Sequence, residues 1–386
     1  PVADPAGPRG GIDEPGPAVG RFTDIVAAGD GTLHVSYYDR DNGDLKYARR
    51  AGDGSWSTHT VDAAGDVGWF TSITLTPAGE PLIAYFSRAG EGADTYVSAL
   101  KLAQASSAAP TSASDWTVFE VERKAVPPPP CGGSCPTGEQ CADAGRGPEC
   151  LPDSNGCATP CATGDVCVDD GGNPLCATQV PLESLEDLPE GTGLFPEVDA
   201  SAAGVAVAWY DRSDGALKVA TGVDVAGGAV GSVVTLGSGP EQDLGRFPSL
   251  ARTSGGYLVV YEDAGADALK WALVENGAVS AEGVVDDGLR DPAGNGPSLV
   301  GADAKVLVDG NRWLVVYQDA TAGDLLYATA DAGGAFSRQV VYSEGAAGFW
   351  ADAVLHQGTL YISHAVLQGA RNGPIHTELR LERLTP

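Results

Sequence analysis

Basic residues are scarce in this chain of 386 residues. It has 23 lysines and arginines against 52 aspartates and glutamates, which gives a formal net charge of −29 at pH 7. Nucleic-acid binding requires a basic face that neutralises phosphates, and anionic lipid surfaces attract basic clusters. The composition therefore excludes nucleic acid as a partner and disfavours attachment to an anionic membrane.

Methionine is absent, even from position 1, and so is any apolar run of about 18 residues. The second absence predicts that the chain does not span a membrane. The first predicts a processed product that is secreted or held at the outer cell surface, with its leader removed. Residues 1–19 are rich in proline and glycine and predict an extended tether; the alternative is a remnant of processing.

Recognisable catalytic motifs are also missing. The sequence contains no G-x-S-x-G elbow, no H-E-x-x-H and no phosphate-binding loop. These absences weaken an assignment as an enzyme but do not exclude one, because a site assembled from distant loops leaves no linear motif.

What the chain does contain is a repeat. A strand that ends in Asp recurs as LHVSYYD (33–39), VAVAWYD (205–211), YLVVYED (257–263) and WLVVYQD (313–319). Each copy has Leu at the sixth position after the Asp and Ala three positions later, and weaker copies are PLIAYFS (81–87) and LYISHAV (360–366). Short alternating strands separated by turn residues predict antiparallel β-meander units.

A second phrase, Gly followed by an aromatic residue, precedes the copies. It reads GRFTDI (20–25), GWFTSI (68–73), GLFPEV (193–198), GRFPSL (245–250), a degenerate GNGPSL (294–299) and GFWADA (348–353). Six units of this kind predict an all-β fold, a six-bladed β-propeller of four-stranded antiparallel blades.

The same periodicity predicts the domain organisation. Blades 1–2 occupy 20–124, a small disulfide-rich insert lies between blades 2 and 3 at 125–190, and blades 3–6 occupy 191–386. The last unit has room for three strands, so its outermost strand is either missing or supplied by the tether 1–19, which would remove an exposed sheet edge.

The repeated Asp is expected to be structural, because a carboxylate at a strand end accepts N–H groups of its own turn. These residues are Asp39, Asp211, Asp263 and Asp319. The loop DRDNGD (39–44) is also a weak candidate for structural calcium through Asp39, Asp41 and Asp44, although it lacks the full ligand order of a calcium loop. No other cofactor or metal is expected.

Residues that break the repeat are the candidates for ligand binding. Arginines follow the repeated Gly or the strand-end position, where the propeller layout places them on one face. An anion-binding funnel of arginines rimmed by tryptophans would suit carboxylates and sugars; the alternative is that each arginine pairs with a nearby Asp. The candidate set is Arg21, Arg40, Trp69, Arg88, Arg212, Arg246 and Trp350.

The phrase YYDRDNGDLKYARRAGDGSW resembles repeats of large secreted bacterial and archaeal propeller proteins. The stretch TADAGGAF (329–336) resembles the Asp-box turn of sialidase-like propellers, through Thr329, Asp331, Gly333 and Phe336. The Asp box marks the fold and not the chemistry, and the arginine triad and Tyr nucleophile of sialidases cannot be assigned. Fucose-binding six-bladed lectins are analogous in architecture, without their binding motif.

All eight cysteines lie in the insert and form two copies of Cys-x3-Cys-x5-Cys-x8-Cys. They are Cys131, Cys135, Cys141 and Cys150, then Cys157, Cys161, Cys167 and Cys176. Modules this small have too little hydrophobic core to fold without cross-links, so we predict two disulfides in each, and hence an oxidising compartment. The spacing does not reveal which cysteines pair. Zinc binding is the weaker alternative. The insert resembles Cys-rich modules of myxobacterial surface proteins.

Three functions fit these observations. The leading one is a non-enzymatic binding protein, secreted or at the cell surface, whose propeller recognises an extracellular glycan or a surface protein. The second is an extracellular glycan-active hydrolase or lyase of sialidase-like propeller type. The third is a structural subunit of a surface assembly, in which the insert mediates contact between copies.

Overall fold

The fold is taken from a computed structural model, which describes residues 18–90, 96–127, 131, 135–180, 189–202, 204–237, 243–290, 297–369 and 375–386. The chain divides into two compact units. Unit 1 draws on residues 1–89, 98–124 and 191–386, and unit 2 on residues 90–97 and 125–190.

Unit 1 is built from six antiparallel sheets, each formed by strands adjacent in the chain. Sheet 1 contains β1 (Val19–Ala27), β2 (Leu33–Asp39), β3 (Asp44–Arg50) and β4 (Trp56–Asp62). Sheet 2 contains β5 (Asp66–Leu75), β6 (Pro81–Gly90), β7 (Tyr96–Ala105) and β8 (Trp116–Val126). Unit 2 contributes the next four strands, β9 (Glu139–Asp143), β10 (Pro148–Pro152), β11 (Asp165–Asp169) and β12 (Pro174–Gln179).

The remaining strands of unit 1 follow in chain order. Sheet 3 contains β13 (Thr192–Ser201), β14 (Gly204–Asp211), β15 (Ala216–Val223) and β16 (Ser232–Leu236). Sheet 4 contains β17 (Leu244–Arg252), β18 (Tyr257–Asp263), β19 (Ala268–Glu275) and β20 (Ala278–Asp286). Sheet 5 contains β21 (Val300–Asp309), β22 (Arg312–Asp319), β23 (Asp324–Asp331) and β24 (Ser337–Tyr342), and sheet 6 contains β25 (Ala346–His356), β26 (Thr359–Gly369) and β27 (Ile375–Leu384).

The prediction of an all-β chain is confirmed. In the described residues the helical content is one 3-10 turn, Ala113–Asp115, and no helix there is long and apolar enough to cross a membrane. Sheet 6 differs from the predicted four-stranded blade, because it has three strands in the order β25-β26-β27. The tether expected to complete it falls largely on residues 1–17, outside the described residues.

Hydrophobic cores lie between successive sheets and hold them face to face. Between sheets 1 and 2, for example, Leu45 and Tyr47 pack with Ile83 and Tyr85, and comparable clusters join each following pair. Alternating side chains in the strands of sheets 2 to 5 therefore enter two different cores. This stacking brings the first strands of neighbouring sheets together, and these strands carry the candidate site.

The Gly-aromatic phrase is a double irregularity in each first strand. The pairing of β17 with β18 shifts register between Leu244 and Arg246 and again between Arg246 and Ser249. Gly245 has a φ of 105°, and a Cβ there would lie 2.6 Å from Leu217 Cα in the preceding sheet. Only glycine allows both the positive φ and the close approach to the neighbouring backbone. Gly245 and Leu217, both repeated residues, therefore contact each other across the two sheets.

This geometry corrects one repeat assignment. The fifth phrase is not GNGPSL (294–299), since the same two register shifts occur in β21, after Val300 and after Ala302. The equivalent residues are Gly301, with a φ of 109°, and Asp303, with a φ of 50°.

Unit 2 is a single sheet in the order β10-β9-β12-β11. The predicted disulfides are confirmed, and they pair the first with the third and the second with the fourth cysteine of each module. The pairs are Cys131–Cys141, Cys135–Cys150, Cys157–Cys167 and Cys161–Cys176. Arg146 joins the modules through Glu149 at 2.6 Å and Asp170 at 2.8 Å. Four disulfides indicate folding in an oxidising, extracellular environment.

Candidate functional site

Six side chains occupy the same position in the first strands of the six sheets, four residues after the repeated Gly. We call them the polar row, because all are charged or hydroxylated. The polar row consists of Asp24, Ser72, Glu197, Ser249, Lys305 and Asp352.

Lys305 is the centre of the polar row. Its ammonium donates to Glu197 Oε1 at 2.6 Å and lies 3.8 Å from Asp352 Oδ1. Burial lowers the pKa of Lys305, but the carboxylates of Glu197, Asp352 and Asp24 outweigh burial and raise it overall. Groups from sheets 1, 3, 5 and 6 thus converge on one ammonium, so the first strands of these sheets surround a common axis.

Other members of the polar row link neighbouring sheets through the backbone. Asp24 Oδ2 accepts the Ile73 N–H at 2.8 Å, Ser72 Oγ accepts the Val198 N–H at 3.2 Å, and Ser249 Oγ accepts the Val306 N–H at 3.1 Å. Each acceptor therefore satisfies a backbone donor of another first strand, which fixes the positions of these strands around the axis.

The carboxyl group of Asp24 has a raised pKa. Burial raises its pKa to about 6 from 3.8, the Glu197 carboxylate adds to this, and Lys305 and the N–H groups of Ile73 and Ile25 act in the opposite direction. Asp24 therefore exchanges a proton near neutral pH, which suits either a protonated hydrogen-bond donor or an acid–base group.

We expect Asp24→Asn to leave the free energy of unfolding unchanged below about pH 4 and to raise it above about pH 6. The folded-state pKa lies above the ordinary value, so the stability linked to protonation of Asp24 is complete below 3.8 and is lost as pH rises through about 6. Urea titrations at the two pH values measure this. Asp287→Asn is the matched control, because Asp287 is exposed and also accepts a backbone N–H, from Leu289. A pH-independent difference would contradict the prediction.

A second row lies two residues after the repeated Gly, and all its members adopt left-handed backbone angles, with φ between 46° and 53°. We call it the aromatic row, since five of its six members are aromatic: Phe22, Phe70, Phe195, Phe247, Asp303 and Trp350. Left-handed angles are rare for bulky residues and mark backbones that the surrounding structure holds in place. Each member lies within the double register shift of its first strand, where the regular pairing is interrupted.

The aromatic row is a continuous surface along four sheets. Ring centroids are 4.6 Å apart for Phe22 and Phe70, and 4.4 Å apart both for Phe70 and Phe195 and for Phe195 and Phe247. Trp350 is 71% exposed, and the backbone N–H of Trp350 donates to Asp303 Oδ2 at 2.7 Å. The exposed indole and the half-buried phenyl rings offer apolar faces beside the hydrogen-bonding groups of the polar row.

A further titratable group lies near Asp303. Burial raises the pKa of Glu262 to about 7, with Arg246 opposing this and the carboxylates of Asp243 and Asp303 adding to it. Burial also raises the pKa of Asp303, against the hydrogen bond from Trp350.

The seven residues of the predicted arginine funnel are spread over sheets 1, 2, 3, 4 and 6. The guanidinium of Arg88 lies over the Trp69 ring, 5.6 Å from the ring centroid. Trp69 is only 4% exposed. Arg88 also lies 3.7 Å from Asp66, and Arg246 is bonded to Asp243. These contacts match the alternative of local pairing.

The other arginines of the predicted funnel differ in exposure. Arg21 and Arg40 are exposed, and Arg212 is half-buried. Trp350 alone of the seven belongs to the aromatic row. Anion binding by the arginines stays a prediction.

The repeated Asp residues accept N–H groups of their own turns. Asp39 accepts from Asn42 at 3.3 Å, Asp211 from Asp214 at 3.1 Å, Asp263 from Ala266 at 3.1 Å and Asp319 from Ala322 at 2.8 Å. Among the calcium candidates, Asp41 accepts from the Ala18 N–H at 2.8 Å, and burial raises the pKa of Asp44. The calcium role stays a prediction.

Sequence reasoning did not single out the polar row. The signal that would have found Asp303 and Lys305 is a distance along the chain: the repeated Gly stands 18 positions before the strand-end Asp in sheets 3, 4 and 5, as in Gly245 and Asp263. Counting back from Asp319 gives Gly301, and the rows follow from it.

No protein-family model matches the chain, and no curated protein matches it either. Among solved structures, the α-L-arabinanase of Penicillium chrysogenum, complexed with arabinobiose, is 12% identical, covers 95% of this chain and 93% of its own, and has a TM-score of 0.52. The lectin of Aleuria aurantia, described as a six-bladed β-propeller with a fucose recognition mode, is 12% identical over 92% and 90%, with a TM-score of 0.42.

The α-L-arabinofuranosidase of Lactobacillus brevis is 10% identical over 94% and 90%, with a TM-score of 0.37. At these identities the likeness concerns the fold alone. The chain has an all-β fold of antiparallel sheets, similar to that of β-propeller proteins.

Proposed function

We propose that this protein is a secreted, six-bladed β-propeller that binds a neutral glycan, without cleaving it, at the mouth of its central channel. Sheets 1 to 6 are its blades, and the disulfide-rich residues 125–190 form an insert between blades 2 and 3. The observation that carries the proposal is the aromatic row lying beside the polar row.

The convergence on Lys305 supports six blades around one channel. Its partners Glu197 and Asp352 belong to sheets 3 and 6, and Asp24 belongs to sheet 1. A stack of sheets that did not curve round an axis would separate Asp24 from Asp352 by the full width of the stack.

The aromatic row supports a sugar as the ligand. Sugars present C–H faces that pack on aromatic rings and hydroxyls that bind carboxylates, hydroxyls and ammonium groups. Trp350 supplies an open ring face, and Asp352 in the polar row is exposed. Both kinds of contact are therefore accessible at one place.

The charges near the channel favour a neutral sugar. Asp24, Glu197 and Asp352 surround the single ammonium of Lys305, and Asp303 lies in the adjoining row. A further carboxylate brought by an acidic sugar would meet these groups at close range, which is unfavourable.

We expect Trp350→Ala to weaken binding of a neutral oligosaccharide by about tenfold or more, since it removes the open stacking face. The ligand is first identified on a glycan array that carries neutral and acidic sugars, and calorimetry then measures the affinity. Trp56→Ala is the matched control, because Trp56 is 55% exposed and lies on the fourth strand of sheet 1. Absence of binding to every array member would overturn the proposal.

A hydrolase acting on an extracellular glycan is the second candidate, favoured by one observation. Asp24, with its pKa near 6, lies close enough to Glu197 for the two carboxyls to interact, and glycoside hydrolysis needs a protonated acid beside an ionised carboxylate. Release of reducing sugar from the array ligand, lost in both Asp24→Asn and Glu197→Gln, would establish this function in place of binding alone.

A further inference from the structure

Three of the interfaces between sheets share a polar lock. An acid near the end of the fourth strand of one sheet accepts a hydrogen bond from the aromatic residue in the second strand of the next. The pairs are Asp62 with Tyr85 at 2.8 Å, Glu122 with Trp209 at 3.1 Å, and Asp286 with Tyr317 at 2.7 Å.

A lysine on the third strand joins two of these locks. Lys101 lies 3.2 Å from Asp62. Lys218 lies 2.6 Å from Glu122 and 2.7 Å from Asp211, and its side chain is only 6% exposed. A buried ammonium thus receives one carboxylate from its own sheet and one from the preceding sheet, which offsets its desolvation.

The interface between sheets 3 and 4 has the donors of this lock without the acid. Leu236 pairs with Leu217, as Asp62 pairs with Leu45 and Asp286 with Leu269. The position that elsewhere carries the carboxylate is therefore apolar here. At the interface of sheets 5 and 6 the same position is Tyr342. Its ring lies 5.5 Å from the His364 ring and 4.4 Å from the Arg380 guanidinium, so an aromatic ring takes the place of the acid there.

The two donors at this interface are Tyr261 and Lys270. Lys270 is bonded to Asp263 of its own sheet at 2.6 Å and is 31% exposed, against 6% for Lys218. The Tyr261 side chain is buried, and in the described part of the chain its hydroxyl makes no hydrogen bond, unlike those of Tyr85 and Tyr317. Among the described residues, the Tyr261 hydroxyl therefore has no partner, and Lys270 has a carboxylate from its own sheet alone, whereas Lys218 has one from each sheet.

A cavity of about 1030 Å³ opens at this place. Tyr261, Lys270 and Leu236 line it, together with Thr235, Val279 and Glu282. Its volume accommodates a mono- or disaccharide, and its walls mix apolar faces with groups that bind hydroxyls.

We propose that this cavity is a binding site for a hexuronic acid, whose carboxylate takes the position that Asp62, Glu122 and Asp286 occupy at the other interfaces. The carboxylate accepts from the Lys270 ammonium and the Tyr261 hydroxyl. The ring and hydroxyls of the sugar lie along Val279, Thr235 and Glu282. The site is separate from the channel mouth and does not depend on the function proposed for it.

Calorimetric titration of the full-length protein with glucuronate, galacturonate and glucose measures the affinity for each sugar and tests the proposal. We expect at least one of them to bind about tenfold or more tightly than glucose, because the charge-assisted hydrogen bond is lost with the neutral sugar. Lys270→Met should abolish this preference. Acetate should bind at least about tenfold more weakly than the sugar acid, since it lacks the ring.

Two further variants test whether the missing acid defines the site. Leu236→Glu supplies that acid from the chain itself and should block hexuronate binding, as ligand and side chain compete for the same donors. Lys46→Met is the matched control, because Lys46 is the equivalent lysine of sheet 1 and bonds to Thr60 at 2.8 Å; hexuronate binding should be unchanged.

Equal affinity for glucose and glucuronate, or for acetate and glucuronate, would overturn the proposal, as would binding that survives both Lys270→Met and Leu236→Glu. Thermal unfolding checks that each variant folds. If Leu236→Glu does not fold, the result for Lys270→Met alone tests the proposal. Trp350→Ala should leave hexuronate binding intact, so failure here and failure at the channel mouth are distinguishable.

Discussion

Lys305→Met should lower the free energy of unfolding by about 2 kcal/mol at neutral pH, because it leaves the partly buried Glu197 carboxylate without the ammonium that compensates its charge. In this protein the ammonium holds Glu197 at 2.6 Å and Asp352 at 3.8 Å, and it lowers the pKa of Asp24 against burial. Methionine has a similar length and no charge, so the loss is electrostatic and not one of packing. Urea unfolding followed by tryptophan fluorescence measures the change.

The deficit of Lys305→Met should shrink as pH falls to about 4. Without the ammonium, the folded-state pKa of Asp24 rises further above its unfolded value, so the variant gains stability as Asp24 is protonated and loses it as pH rises. The wild-type lysine, whose folded-state pKa is raised, keeps its full contribution at every pH in this range.

Lys46→Met serves as the control for the loss of a lysine, since Lys46 bonds to a neutral hydroxyl, Thr60. It should change stability by no more than a typical hydrogen bond, about 1 kcal/mol, and show no steep pH dependence. An equal loss in the two variants would contradict a central role for Lys305.

The repeats made the sheet architecture predictable, because Gly245 and Leu217 are visible in the sequence as recurring residues before their contact is known. The repeats did not predict correctly where the fifth unit begins. Gly301 is followed by Ala and Asp303 in place of an aromatic residue, so GNGPSL upstream was the better match by composition. The backbone contact selects the glycine and leaves the next residues free to differ.

The candidate site was less predictable for a related reason. Members of the polar row share a position and not a residue type, and the double register shift decides which face they occupy. Simple alternation puts Phe22 and Asp24 on one face of β1, but it does not reveal the register shifts that precede Asp24 and its equivalents in the other first strands. The arginine prediction used residue type alone, and Arg246 is held by Asp243, a residue outside the repeated phrases.

The proposed hexuronate site could not be predicted from the sequence, and it emerges only when equivalent contacts of the repeated sheets are compared. Leu236 is an ordinary strand residue in the sequence, and Tyr261 and Lys270 fit the repeated pattern. Only the equivalent contacts of Asp62, Glu122 and Asp286 show that Leu236 stands where an acid is expected.

Reduction of the disulfides should unfold unit 2 completely while unit 1 remains folded. The buried core of unit 2 consists of four residues, Ala142, Leu151, Val168 and Ala177, and burial of so little apolar surface does not offset the entropy of ordering the modules. Each module relies on loops closed over 10 and 15 residues, and a loop of about 15 residues contributes about 3 kcal/mol when it is closed.

Hydrogen exchange measured by mass spectrometry, before and after treatment with a phosphine reductant, tests this expectation strand by strand. Amides of β9 to β12 should lose their protection, whereas those of β14, β18 and β22 should keep it, because unit 1 has no cysteine and its cores lie between large sheets. Cys161→Ser combined with Cys176→Ser should unfold the second module first, since it opens the longer loop there. Retained protection of β11 and β12 after full reduction would contradict the prediction, because it would show that hydrogen bonds and the Arg146 contacts hold the module together without the disulfides.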